Sequence, residues 1–162
     1  MRRLPHGRIS LCLHTLVEAD GPALLLLHQL GGSARDWHGA NLGWRGAVYA
    51  LDLSGHGQSD WASGGGYAPE VWACDADAAL AALGPELTVL GAGVGAYVAL
   101  LLAGARPQEI AAVVLCPGAG LAGAGEDLVF AVPADVPSSA GVRKAGSGST
   151  DPAVSYSELV AQ

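Results

Sequence analysis

Charge is what this sequence has least of. Charged residues make up 14% of the 162-residue chain, against about 25% in an ordinary soluble domain. Lysine and arginine total 8 against 15 acids, a formal net charge of −7. So few cations cannot form the basic stripe that neutralises phosphates, which excludes nucleic acid as a partner. Cysteine is also sparse. Cys12, Cys74 and Cys116 are widely spaced with no C-x-x-C, a pattern that suits a reducing compartment and carries no zinc signature. We therefore expect a cytoplasmic protein with no metal and no cofactor. Global disorder is excluded by the 51% hydrophobic content. A chain of this length can hide about 68–70% of its unfolded surface, enough for one real core.

Targeting and membrane signals fail on inspection. Arg2 and Arg3 precede an apolar patch, but there Ile9, Leu11 and Leu13 alternate with Ser10, Cys12 and His14. Alternation is strand periodicity, and no small-residue cleavage site follows. The uncharged stretch from Leu87 to Ala105 is long enough to span a bilayer. Gly91, Gly93 and Gly95 interrupt it after a short β-rich run, so it reads as a buried strand–turn–helix.

Strands and helices alternate up to Pro117. A first strand starts at Ile9, and Asp20-Gly21-Pro22 marks a turn. Leu24–Leu27, Ala47–Leu51, Leu87–Leu90 and Ile110–Cys116 read as strands. The continuous apolar run through Ala23–Leu27 is what a strand buried on both faces looks like. Pro69 and Glu70 suit a first helical turn, with Trp72, Ala76, Ala79 and Leu83 following at helical spacing, and a second helix covers Val94–Gly104. Strands separated by helices predict an α/β domain with a mostly parallel sheet over residues 1–117. Leu24–Leu27 should lie between the two strands that follow it. From Gly118 onward Gly, Ala, Ser and Pro dominate. There we expect a partly flexible segment, 118–162, with a short strand at Leu128–Val132, a short helix at Tyr156–Ala161 and a linker between Pro137 and Pro152.

Three motifs fall in register on this scaffold. They are LLLLHQLGGSARDW (Leu24–Trp37), VYALDLSGHGQSD (Val48–Asp60) and LTVLGAGVGAYVALLLAGARP (Leu87–Pro107). In order and spacing they resemble the α/β-hydrolase fold family, over Ile9 to about Gly120. In that family a strand runs into an H-G loop, the next ends in a D-x-x-G-x-G-x-S turn, and a strand–elbow–helix presents the nucleophile. The resemblance implies a three-layer domain, here C-terminally shortened. It also implies two backbone N–H groups for an oxyanion, at the positions of Leu30 and Val94. Gln29 stands where the family has glycine and is expected to crowd its loop. His28 and His56 are expected to support structure, His56 in a surface turn. Trp37, Trp44, Trp61 and Trp72 are expected to pack the core or line a pocket mouth.

The same resemblance exposes a departure. The elbow should read G-x-S-x-G, and here it reads Gly91-Ala92-Gly93-Val94-Gly95. Gly93 occupies the nucleophile position and has no side chain with which to attack. Family order is nucleophile, acid, histidine, yet all five histidines (His6, His14, His28, His38, His56) precede the elbow. Asp127, Asp135 and Asp151 could mimic the acid but would have no imidazole to orient. The resemblance thus implies a hydrolase-like protein without a competent triad, retaining an apolar pocket for a small acyl or ester-like ligand. One alternative is an active hydrolase with an unusual nucleophile, such as Cys116 or a Ser54–His56–Asp52 grouping, or with parts supplied by another chain. Another is a dinucleotide-binding unit, because GAGVGA also fits G-x-G-x-x-A after a strand. Against it, the next strand ends Leu115-Cys116-Pro117 and offers no acid for a ribose.

Overall fold

The computed structural model describes residues 1–40, 42–63 and 66–116. Its spine is β3, Leu24–Leu27, whose four leucines are all buried. That burial follows from having a strand on each side and packed side chains over each face. The neighbours are β4 (Val48–Asp52) and β5 (Leu87–Gly91), both parallel to β3. This is the flanking arrangement that the apolar runs predict. β6 (Ile110–Leu115) extends the sheet beyond β5, again parallel. At the other side β1 (Arg2–His6) and β2 (Ile9–Val17) form a hairpin, and β2 runs antiparallel to β4. The order is β1-β2-β4-β3-β5-β6, a mostly parallel α/β sheet.

β1 is the strand that the sequence does not announce. Its five residues include two arginines and Pro5, and no apolar alternation marks them. Proline is tolerated because β1 lies at the sheet edge, where a missing N–H costs no ladder bond. Its partner β2 supplies the pairing.

Strand alternation sorts the core into two faces. Leu25, Leu27, Leu51, Leu53, Leu87 and Val89 share one face with the helices α1 (Pro69–Leu83) and α2 (Val94–Ala105). Leu24, Leu26, Val48, Ala50 and Leu90 share the other. Among the described residues that second face is covered by a short 3-10 turn, Ala34–Trp37, with Trp37, Leu42 and Trp44 packed against it. The third layer that the resemblance implies is therefore thin here. The uncharged stretch Leu87–Ala105 divides into β5 and α2, as its glycines predict. Among the described residues no helix is long and apolar enough to cross a membrane. The expectations for 118–162 lie outside the described residues.

Candidate functional site

The turn between β5 and α2 consists of Ala92 and Gly93 alone. Gly93 has φ +55° and ψ −124°, a conformation that residues with a Cβ enter only under strain. Close approach explains a second glycine. A Cβ on Gly95 would press on Leu27 O and sit 2.6 Å from His28 O, both backbone atoms. The start of α2 therefore rests on the end of β3, and Ala92 N–H donates to Leu27 O at 3.0 Å. Two loops thus emerge side by side at the carboxyl edge of the sheet, one after β3 and one after β5. Open α/β sheets hold their ligands at that edge.

Leu30 lies on the first of these loops and Val94 opens α2 on the second. Both are half-buried and pack on the apolar cluster beneath. Val94 contributes the first N–H of α2, which has no intrahelical acceptor and sits at the positive end of the helix dipole. Gln29 lies on this loop with its side chain near Gly32. Its side chain is exposed, and Glu86 is the only non-glycine at positive φ among the described residues. The turn uses Gly31, at φ +71°, instead.

His28 and His56 hold this loop from below. His28 is buried, its Nδ1 lies 2.7 Å from Gln29 O, and Leu53 N–H donates to its Nε2 at 3.1 Å. These partners assign the proton to Nδ1. Burial foremost, then the neighbouring His56, pushes its pKa down to about 4. His56 Nε2 accepts from Gly31 N–H at 3.2 Å, and its Nδ1 lies 3.2 Å from Ser54 O. His56 is buried, not in a surface turn as expected. Its ring packs 4.8 Å from that of His28 and edge-on to Trp72, which α1 lays over the turn.

Asp52, at the end of β4, ties three segments together. Its Oδ1 accepts from Ala34 N–H at 2.7 Å, which anchors the 3-10 turn. Its Oδ2 accepts from Gln58 N–H at 2.9 Å and lies 2.8 Å from His14 Nε2 on β2. Sequence reasoning missed His14, Cys12 and also Asp75. Asp75 is fully buried on α1, where its Oδ2 accepts Ser54 N–H at 2.8 Å. Burial pushes its carboxyl up, against that N–H and the nearby His6. An acid inside an otherwise apolar helical stripe was the available signal.

The strand–elbow–helix, the loop after β3 and the Asp52 turn together match a known arrangement. A family model for the alpha/beta hydrolase fold covers residues 22–135. The chain belongs to the α/β-hydrolase fold family. It is 42% identical over 105 residues to lipase LipV of Mycobacterium tuberculosis, covering 59% of this chain and 37% of that one. An esterase of the same organism is 32% identical over 97 residues, covering 59% and 33%. Among solved structures, the thioesterase domain from the curacin biosynthetic pathway matches with a TM-score of 0.66 and 25% identity, covering 72% of this chain and 45% of that one. The chain spans about a third of the length of the curated relatives it matches.

Within this α/β-hydrolase framework, the residues weighed as nucleophiles from the sequence are not paired with a base among the described residues. The elbow residue between β5 and α2 is Gly93, which carries no side chain. Ser54 is buried beside Asp75, and the His56 ring addresses Ser54 O rather than its hydroxyl. Asp52 is occupied with His14, Ala34 and Gln58, so a Ser54–His56–Asp52 relay is not formed. Cys116 packs against the second apolar face, and burial pushes its thiol up, away from the reactive thiolate. Trp72 is in the core, Trp37 and Trp44 line a hollow of about 560 Å³ on the second face, and Trp61 is exposed. That hollow does not include Leu30, Gly93 or Val94.

Proposed function

We propose that this chain is a non-catalytic member of the α/β-hydrolase family that binds a small acyl or ester-like molecule over the elbow. Its carbonyl oxygen would be received by the N–H groups of Leu30 and Val94. The observation that carries the proposal is Gly93, which holds the elbow conformation with no side chain to attack. In a working enzyme one oxyanion donor contributes about 2.7–4 kcal/mol to the transition state. Without a nucleophile the same donors can only polarise a bound carbonyl. The ester-like class is supported by the lipase and esterase names of the relatives. The described residues supply the floor of such a site rather than its walls.

The test pairs a fluorophosphonate probe with calorimetry using an acyl trifluoromethyl ketone. We expect no covalent adduct in the intact mass, no p-nitrophenyl ester turnover above buffer, and saturable ketone binding. An adduct, or turnover proportional to protein, would overturn the non-catalytic part. Absence of ketone binding would overturn the ligand part.

A further inference from the structure

Asp52 lies far from Cys12 and His14 in sequence and close to them in space. Cys12 and His14 are two apart on β2 and so project from the same face. Asp52 is the register partner of Cys12 on β4. Cys12 Sγ lies 3.3 Å from His14 Nε2, and Asp52 Oδ2 lies 2.8 Å from that same nitrogen. A catalytic relay would place acid and nucleophile on opposite ring nitrogens. Here both converge on one, as donor atoms do around an ion. All three ligand atoms fall within 4.8 Å of one another, and Gln58 Oε1 stands 3.9 Å from Cys12 Sγ as a fourth.

We infer that these residues form a binding site for a zinc-like divalent cation, with Cys12, His14 and Asp52 as ligands and Gln58 Oε1 closing the tetrahedron. Sulfur, imidazole and carboxylate together select a borderline-soft ion over magnesium or calcium. Tetrahedral zinc sets its donor atoms about 3.4–3.6 Å apart. The separations from Cys12 Sγ to His14 Nε2 (3.3 Å) and to Gln58 Oε1 (3.9 Å) are near that range, and the main adjustment is a small swing of the largely buried His14 ring away from Asp52. Asp52 keeps its bonds to Ala34 and Gln58, since only its contact with His14 is exchanged for the metal. The thiol proton of Cys12 leaves to solvent, and the Nε2 proton of His14 moves to Nδ1, so one proton is released per ion. Thiolate and carboxylate then balance the divalent charge. Burial first and Asp52 second push the Cys12 thiol up, partly offset by the Arg3 guanidinium, which is itself engaged by Asp60 and Gln58 O; the cost of the thiolate falls to the ion. The bound ion would clamp β2 to the end of β4.

The experiment uses the full chain, stripped of metal, with zinc measured by competition against a chromophoric chelator and thiolate ligation by cobalt absorption. We expect one zinc per chain, a thiolate-to-cobalt charge-transfer band, and no competition from excess magnesium. Even outer-shell changes at metal sites cost about 10–100-fold in affinity. Cys12→Ser and His14→Gln should therefore each weaken zinc by at least about tenfold, and the band should vanish in Cys12→Ser. Cys74→Ser, at an exposed cysteine, should change nothing. Circular dichroism confirms the fold of each variant, and His14→Gln decides the matter if Cys12→Ser does not fold. No zinc binding, or binding unchanged in His14→Gln, would overturn the site.

Discussion

His28 shows how a histidine can be fixed in one protonation state by its surroundings. Buried, and hydrogen-bonded at both nitrogens to the backbone, it holds a pKa of about 4 against an ordinary 6.5. The unfolded chain therefore binds more protons than the folded one between those values. Its contribution to stability is present above pH 6.5 and is lost as the pH falls toward 4. A shift of this size corresponds to a few kcal/mol at most. Urea unfolding should show lower stability at pH 4.5 than at pH 7, with a smaller drop in His28→Asn. Ring-nitrogen NMR should find His28 neutral at pH 5. Its structural role was legible from its place in the HQLG loop. The burial of His56 was not, because the packing of Trp72 over the G-H-G turn comes from a helix more than ten residues further on.

Elements depend on single contacts at two places. Gly95 lets α2 start against the end of β3, and a methyl there would meet two carbonyl oxygens of the backbone. Such overpacking typically costs about 1–3 kcal/mol. Gly95→Ala should lower the thermal midpoint and move the elbow away from the loop that carries Leu30, so ketone affinity should fall along with stability. Asp52 holds the 3-10 turn and the Gln58 turn by backbone N–H groups. Asp52→Ala leaves those donors unpaired at about 1–3 kcal/mol each, and thermal unfolding should register the loss. The strands β3 to β6 and both helices were readable because apolar runs, helical spacing and glycine breaks all agreed. β1 was not, since only its partner strand makes it one, and the convergence of Cys12, His14 and Asp52 depends on the β2–β4 register, which no local pattern encodes.

At the scale of the whole molecule, the described residues carry the sheet and the strand–elbow–helix of the family, with a glycine at the elbow. The elbow conformation, the loop after β3 and the Asp52 turn persist around a glycine. All five histidines of this chain precede the elbow, so on the non-catalytic reading proposed above a hydroxyl placed at residue 93 should give no chemistry. The direct measurement is Gly93→Ser. A serine at this φ pays about 1–3 kcal/mol of strain, so folding is first confirmed by circular dichroism. p-Nitrophenyl ester release and fluorophosphonate labelling are then followed on the folded variant. The account predicts background hydrolysis and an unmodified intact mass, because a serine hydroxyl without a base is a weak nucleophile. A burst of p-nitrophenol with a stoichiometric adduct at residue 93 would contradict it.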